Sequence, residues 1–389
     1  MISFDNTEVA FESKTDADLK RAYRLFKMVS NPKMVKFGKW ATNFALSIRF
    51  PIRGMVKKTI FKQFCGGETK AECEQTINNL WNYKIGTILD YSVEGKESSE
   101  DLEKTKEEVI STIVKAAESD SIPFSVFKVT GVATFSVLEK LNDPSNQLSE
   151  NDKMEFKEVT RRVEEICKSA HDHKVPLFID AEDFCIQNAI DRLVTSMMVK
   201  YNREQAIVYN TVQMYRVDRL DHLKNAVQNA KESGYKYAVK LVRGAYMEEE
   251  RQLAKDKGYP DPIHPTKQAC DDAYNAALEF LVDQLDYLSF CAGTHNEQSS
   301  LYLAELLDKK GIDRSDKRVY FAQLLGMSDH ISFNLSKNNC NVAKYVPYGP
   351  VKEVLPYLIR RAEENTSIAG QTSRELSLII KEKKRRKLA

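Results

Sequence analysis

Two adjacent arginines near the end of the chain lie in a helical pattern that could bind an anion. The segment reads YLIRRAEEN over residues 357–365. At about 100° per residue, one face of this helix is apolar and carries Val354, Leu355, Leu358, Ile359 and Ala362. A second face carries Tyr357, Arg360, Arg361 and Glu364. Two guanidinium groups on one face repel each other unless an anion lies between them, and such a pair binds a carboxylate or phosphate well. The alternative is a solvated face with an i,i+4 ion pair.

Eight short apolar runs, each followed by a helical pattern, indicate the fold that would position such groups. They cover 86–94, 124–132, 176–183, 207–215, 236–246, 288–296, 318–326 and 341–349. Apolar strands alternating with amphipathic helices predict an α/β protein with a parallel sheet covered on both faces. Eight such units in succession predict a closed (β/α)8 TIM-type barrel. An open doubly wound sheet is the alternative, although no G-x-G-x-x-G motif follows any of the runs.

The remaining segments complete the predicted organisation. We expect an N-terminal helical arm over 1–83, the barrel over 84–370, and a C-terminal helix with a basic tail over 371–389.

Chemistry in a barrel of this type is expected at the carboxyl ends of the strands. The predicted ends supply cations, acidic groups, amides and an aromatic ring: Lys128, Asp180, Glu182, Gln213, Lys240, Arg243, Thr294, His295, Asn296, Gln323 and Tyr345. This set lacks the ligands of a metal site, and no Ser-His-Asp or Cys-His arrangement can be assembled from it. The strand ends therefore predict a site for an anionic small molecule and a cofactor, with the reaction left open.

Composition excludes several other roles. A formal charge of +2 over 389 residues argues against a nucleic-acid partner. Seven cysteines without C-x-x-C spacing indicate reduced thiols inside the cell. No apolar run approaches the roughly 20 residues of a membrane span, and residues 1–16 resemble neither a signal nor a transit peptide. We therefore expect a cytoplasmic protein, or the mature form of an imported one.

One basic stretch suggests a membrane surface. Residues 31–67 contain eight Lys or Arg and no acidic residue, with aromatic residues among them. A basic, aromatic segment of this kind, here residues 31–64, can lie peripherally on an anionic membrane. A helical arm with a solvated basic face is the alternative.

Motifs along almost the whole chain resemble those of one family. They are FDNTEVAFESK, FCGGET, ILDYSVEG, FIDAED, VQMY, KLVRGAY, YPDPIHPTKQACDDAY, GTHN, AQLLGM and KYVPYGPVKEVLPYLIRRAEENTS. They resemble the proline dehydrogenases, flavin enzymes that oxidise proline to 1-pyrroline-5-carboxylate, and in particular the single-function branch of that family. The resemblance implies that electrons pass to a quinone and that the substrate is L-proline.

The resemblance also implies roles for the candidate substrate residues. Arg360 and Arg361 match the pair that holds the substrate carboxylate, Lys128 matches a third cation, and Asp180 matches the acidic partner of that lysine. The other substrate positions are two wall residues and two helix residues that shape the pocket: Leu324, Tyr345, Tyr357 and Glu364. Lys128, Asp180, Tyr345, Arg360 and Arg361 form the predicted catalytic set. Because a tyrosine at 345 leaves little space for a ring hydroxyl, proline is favoured over 4-hydroxyproline, which stays as an alternative substrate.

The implied cofactor is FAD, held without a Rossmann fold. Gln213 and Lys240 match positions that contact the isoalloxazine ring, where a cation or amide stabilises negative charge on the reduced flavin. The other matching positions are Asp180, Arg243, Gly244, Ala245, Thr266, Lys267, Thr294, His295, Asn296 and Gln323. Two hypotheses from other classes also remain. One is a lyase or aldolase with Lys128 or Lys240 as a Schiff-base nucleophile, and the other is a non-catalytic anion-binding barrel.

Overall fold

A computed structural model describes residues 2–31, 33–35, 38, 53–93, 97–367 and 371–388 of the 389. The side chains of 363–367 and 371–373 are not among the described parts.

Eight parallel strands close into a barrel in chain order. They are β1 (Ile85–Tyr91), β2 (Phe124–Phe127), β3 (Leu177–Ile179), β4 (Val208–Gln213), β5 (Tyr237–Val242), β6 (Leu288–Gly293), β7 (Val319–Leu324) and β8 (Val342–Tyr348). Most strand residues are buried, as expected for a sheet covered on both faces. The predicted barrel is confirmed, and the open doubly wound sheet is wrong.

Helices follow the strands and also form the N-terminal and C-terminal segments. In the described part of the chain, the α-helices include Thr7–Ala10, Asp16–Val29, Arg53–Val56, Lys62–Phe64, Lys70–Trp81, Ser99–Ala117, Phe135–Asn142, Glu150–Asp172, Phe184–Tyr201, Arg219–Glu232, Met247–Lys257, Lys267–Asp283, Glu297–Lys309, Asp329–Lys337, Val351–Ser367 and Gln371–Arg385. Lys57–Phe61 is π-helical and Val129–Gly131 is a 3₁₀ turn. Many of these helices are capped at the N-terminus by a side chain that accepts a backbone N–H. Ser98 caps Ser99–Ala117 in this way, and Ser149 caps Glu150–Asp172.

The strands are shorter than the apolar runs that predicted them. The run at 124–132 yields only four strand residues, because the chain turns through Val129–Gly131. The run at 176–183 yields three, and Asp183 already caps the next helix by accepting the N–H of Cys185. The polar residues at the ends of these runs therefore lie in loops just beyond the strands.

The chain divides into two compact units. Unit 1 combines Met1–Val93 with Gln323–Ala389, and unit 2 is Glu94–Ala322. Within unit 1, β1 pairs with β8 from Ile85↔Val342 to Tyr91↔Tyr348. The predicted domain boundaries at 83/84 and 370/371 stay predictions.

A hydrophobic cluster in unit 1 holds the helix with the arginine pair. Val354, Leu355 and Leu358 are buried in it, and Ala362 packs against it. The predicted apolar face of Val351–Ser367 is thus confirmed at these positions. At the start of this helix, the Glu68 carboxylate accepts the N–H of Val351 at 3.2 Å.

The basic segment 31–64 lies partly outside the described residues, at 32, 36–37 and 39–52. In its described part, Arg53 and Lys57 donate to Glu68 at 2.8 and 2.7 Å, and Lys57 also donates to Glu72. These ion pairs, Arg53 first, lower the pKa of Glu68 to about 2. Two cations of the segment are therefore paired with acidic residues that directly follow it. In the part of the chain that the structure describes, no helix has the length and apolar character to cross a membrane.

Candidate active site

Asp180 joins two lysines at the carboxyl ends of β2, β3 and β5 in unit 2. Its carboxylate accepts a hydrogen bond from Lys240 Nζ and lies 3.7 Å from Lys128 Nζ. Lys240 is the fourth residue of β5, and its ammonium lies 5.3 Å from the centre of the Phe178 ring. All three charged side chains are largely buried. One carboxylate thus lies between two ammonium groups, so the buried charges of this cluster are paired.

Glu182 adds a second carboxyl group to the same loop. It is buried, and it accepts hydrogen bonds from the backbone N–H of Thr130 at 3.0 Å and from the Thr130 hydroxyl. Burial raises the pKa of Glu182 to about 7, and the hydrogen bonds from Thr130 and the charge of Lys128 oppose that shift. Through Thr130, Glu182 supports the turn that follows Lys128.

Replacing Glu182 by glutamine should flatten the dependence of stability on pH. The folded state keeps the proton above pH 4.5, where the unfolded chain loses it, so this group's contribution to stability falls as pH rises through about 7. The free energy of unfolding of Glu182→Gln relative to the unmodified protein should rise by up to about 3 kcal/mol between pH 4.5 and 8. Denaturant unfolding at several pH values measures this difference. Glu204→Gln, at an exposed position, should show no such rise, and an equal rise there would contradict the assignment.

Gln213, Gly244 and Tyr215 form a close contact between the ends of β4 and β5. Gln213 Nε2 donates to the Glu182 carbonyl at 2.9 Å. Gly244 has φ 118°, and a Cβ added to it would lie 1.9 Å from the Tyr215 ring and 3.0 Å from Gln213 Oε1. Only glycine fits this backbone conformation and this spacing. The VRGAY motif is thus packed directly against the side chains that follow β4.

The Arg243 guanidinium is bound by side chains from several segments of the chain. Nε donates to Asp271 at 2.8 Å, Nη1 to the Thr294 hydroxyl at 2.7 Å, and Nη2 to the Ser299 hydroxyl at 2.9 Å. The guanidinium also stacks on Tyr274, 4.3 Å from the ring centre. Lys267 binds the other oxygen of Asp271 at 2.6 Å. Arg243 therefore ties the segments 266–267 and 294–296 together.

Two long helices begin at these segments. Thr266 accepts the N–H of Ala269 at the start of Lys267–Asp283, and Asn296 accepts the N–H of Ser299 at the start of Glu297–Lys309. Thr266, Lys267 and Ala245 are exposed, whereas His295 is half-buried. Helix N-termini present N–H groups and a positive dipole end, which favour bound phosphate.

In unit 1, the predicted wall residues lie on neighbouring parts of β7 and β8. The N–H of Leu325 donates to the Tyr345 carbonyl at 2.9 Å, and Ser332 donates to Gln323 Oε1 at 2.8 Å. Tyr345 is 8% exposed and stands opposite Ile88 of β1. The turn after β7 therefore brings Leu324 and Tyr345 into one hydrogen-bonded region.

The arginine pair lies on Val351–Ser367 as predicted. Arg360 and Arg361 are both half-buried. The Arg361 guanidinium lies 5.1 Å from the centre of the Tyr357 ring, a cation–π distance. Tyr357 itself is 7% exposed and belongs to the hydrophobic cluster of unit 1. The side chain of Glu364 lies outside the described residues.

Sequence reasoning missed several residues that support these groups. Asp271 and Ser299 bind Arg243, Gln63 and Lys344 bind the turn after β7, and Tyr215 packs on Gly244. One signal was available for Lys344, because a lysine inside the apolar run NVAKYVPYG needs a buried partner. The others depend on contacts between distant segments.

Comparison with known proteins identifies the family. The sequence profile described as proline dehydrogenase matches residues 73–374. The chain is 36% identical over 384 residues to "Proline dehydrogenase 1, mitochondrial" of Dictyostelium discoideum, with 88% of this chain and 67% of that protein covered. It is 30% identical over 422 residues to "Hydroxyproline dehydrogenase" of Xenopus laevis, with 99% and 90% covered.

Among solved structures, the chain resembles proline utilization A (PutA) of Bdellovibrio bacteriovorus inactivated by N-propargylglycine. The TM-score is 0.71 at 17% identity, over 93% of this chain and 38% of that one. The chain thus spans well under half the length of that protein, and this likeness supports the barrel fold alone. A barrel with this array of charged groups at its strand ends is typical of an enzyme for small anionic substrates. Taken with the profile and the relatives, it shows that the chain belongs to the proline dehydrogenase family of oxidoreductases.

Proposed function

We propose that this chain oxidises L-proline to 1-pyrroline-5-carboxylate with FAD as cofactor, the first step of proline degradation. The observation that carries the proposal is the family match over residues 73–374. The oxidation removes a hydride from the ring carbon next to nitrogen and a proton from the nitrogen, and a carbon–nitrogen double bond forms. The family match leaves the lyase and binding-barrel hypotheses without support.

Arg360 and Arg361 are proposed to hold the substrate carboxylate. Their half-buried position on one helix, with Arg361 stacked on Tyr357, supports this role, because planar guanidinium groups bind carboxylates bidentately. Lys128 enters the proposal as a further cation through the family resemblance. Its ammonium lies 3.7 Å from the Asp180 carboxylate, which orients the lysine. Leu324 and Tyr345 are the proposed walls for the ring, with Tyr357 and Glu364 shaping the helix.

The residues of unit 2 fit an FAD molecule. The exposed helix start at Thr266–Lys267 and the half-buried helix start at Asn296 suit its diphosphate. A bound flavin supplies the two-electron acceptor. Gln213, Lys240 and Asp180 would hold the isoalloxazine, and Lys240 contributes positive charge there. Arg243, Gly244, Ala245, Thr294 and His295 complete the proposed cofactor set in unit 2, and Gln323 enters the set through the family resemblance.

The absorption spectrum of the purified protein tests the proposal directly. We expect bands near 380 and 450 nm, as oxidised flavins have, and bleaching of both when L-proline is added without oxygen. A colourless protein that FAD cannot reconstitute would contradict the cofactor assignment. A yellow protein that L-proline does not bleach would contradict the substrate.

A second candidate substrate is 4-hydroxyproline, favoured by the 30% identity to the hydroxyproline dehydrogenase of Xenopus laevis. The bulk of Tyr345, which is buried in β8, argues for L-proline. Rates of bleaching with the two amino acids distinguish them, and we expect L-proline to react faster.

The electron acceptor proposed for this chain is a membrane quinone. The described part of 31–64 offers exposed cationic and apolar side chains, including Lys58 and Met55, which would suit peripheral contact with an anionic membrane. We propose a cytoplasmic location with such contact, or the mitochondrial matrix side for a eukaryotic form.

A further inference from the structure

The turn after β7 is held by an unusual concentration of buried polar groups in unit 1. It runs from Leu325 to Ser328, and two of its residues, Gly326 and Ser328, have positive φ values of 77° and 51°. A Cβ on Gly326 would lie 2.1 Å from the Gln63 carbonyl oxygen. A turn of this shape is costly for the backbone and persists only where its surroundings fix it.

The side chain of Lys344 holds this turn in place. This lysine precedes Tyr345 in β8, and its side chain is fully buried at 0% exposed. Its ammonium donates to the Met327 carbonyl at 2.5 Å, to the Leu324 carbonyl at 3.3 Å, and to Asp329 Oδ1 at 2.8 Å. Alternation along a strand directs Lys344 and Tyr345 to opposite faces of β8. One strand thus carries a proposed ring-wall residue on one face and the cation that fixes the turn on the other.

Two further groups hold the same turn from other segments. Gln63 Nε2 donates to the Gly326 carbonyl at 2.9 Å, and Gln63 is buried. Glu375, on the C-terminal helix, accepts the N–H of Ser328 and is also buried. Each backbone polar group named here is therefore bound by a side chain that is distant in sequence.

We propose that Lys344 and Gln63 are positioning residues for the substrate pocket. Neither is placed against the substrate. Both bind the turn that follows Leu324, the last residue of β7, and so fix the position of Leu324. The same turn is bonded to β8, because the N–H of Leu325 donates to the Tyr345 carbonyl. The inference rests on the proposed function, because it assigns these residues to the walls for the proline ring. Small displacements of such walls are costly, since a misplacement of about 1 Å can reduce rate about a hundredfold.

The test uses variants of the full chain purified with its flavin. Lys344→Met alone would leave the buried Asp329 carboxylate with Lys14 as its remaining partner, at 3.2 Å, so it is combined with Asp329→Asn to remove both charges. This double variant should reduce kcat/KM for L-proline roughly 10- to 100-fold. The ratio of kcat/KM for L-proline over 4-hydroxy-L-proline should also fall, because a loosened wall discriminates less between the two rings. Gln63→Leu should change both quantities in the same direction, by a smaller factor.

The control is Lys106→Met, which removes a similarly buried lysine that binds Glu103, Glu107 and Glu165 within unit 2. Its substrate ratio should equal that of the unmodified protein, whatever its loss of stability. If the double variant does not fold, Gln63→Leu decides the matter. A folded variant whose kcat/KM and substrate ratio both stay within twofold of the unmodified protein would overturn the proposal, as would an equal change of ratio in Lys106→Met. If the unmodified protein is not reduced by L-proline, the proposed function has failed instead.

Discussion

Replacing Arg361 by methionine should lower kcat/KM for L-proline roughly 30- to several-thousand-fold. This corresponds to a loss of about 2–5 kcal/mol of transition-state stabilisation. The same is expected of Arg360→Met. Methionine keeps an unbranched apolar stem of similar length, so the change removes the guanidinium while the helix can still pack. A carboxylate that loses one of two bidentate partners is left under-paired in a partly buried site, which costs more than the loss of one exposed ion pair. Steady-state kinetics over a range of proline concentrations measures the effect.

Two comparisons separate this role from a general effect of lost positive charge. Arg24→Met removes an exposed arginine of the helix Asp16–Val29 in the same unit, and it should leave kcat/KM unchanged. Arg361→Lys keeps the charge but loses the bidentate fork, so it should recover only part of the activity. Near-normal turnover of Arg360→Met and Arg361→Met at low proline would show that the pair does not bind the substrate.

Gly244→Ala should destabilise the protein by about 2–6 kcal/mol and reduce the amount of flavin that copurifies with it. The added methyl would overlap the Tyr215 ring at 1.9 Å, and the backbone φ of 118° is strained for any residue with a Cβ. Since Gly244 lies between Arg243 and Ala245 in the proposed cofactor set, relief of the overlap must displace that loop. Thermal unfolding and the ratio of FAD to protein measure the two effects.

Gly258→Ala provides a matched control. Gly258 also has positive φ, 72°, but a Cβ there would meet nothing within 4 Å. Its replacement should cost only about 1–2 kcal/mol and leave flavin content unchanged. Combining Gly244→Ala with Tyr215→Ala should recover part of the lost flavin binding, because the ring that the added methyl would overlap is then absent. The effects of the two substitutions should therefore not be additive. Equal losses for the two single glycine variants would contradict the close packing on Tyr215.

The barrel could be predicted from sequence because hydrophobic runs and helical periodicity alternate eight times. The residues at which the strands end could not be predicted in this way. The run FSVFKVTGV contains only four strand residues, since hydrophobicity does not distinguish a buried strand from a buried turn such as Val129–Gly131. Lys128, which was expected at the end of the second strand, directly follows β2, and the turn begins after it.

The candidate site was predictable to the extent that motifs carry it. The pairing of Asp180 with Lys128 followed from the resemblance and is present at 3.7 Å. The hydrogen bond from Lys240 to the same carboxylate was not expected, because it depends on which face of β5 the lysine occupies and on the spacing of β3 and β5. The partners of Arg243 lie 28 and 56 residues away in the chain, beyond any local pattern. Such contacts belong to tertiary structure alone.

Unit 1 is assembled from the two ends of the chain, and this has a consequence for synthesis on the ribosome. Its strand β1 begins at Ile85, but the partner β8 begins at Val342. Arg386 donates to the Phe11 carbonyl at 2.8 Å, so this contact of the N-terminal helices forms only after residue 386 has been synthesised. At ribosomal rates, β1 remains without this partner for roughly 10–50 s. All residues of unit 2 are synthesised during that interval, whereas the apolar residues of β1 lack their β8 partner until its end.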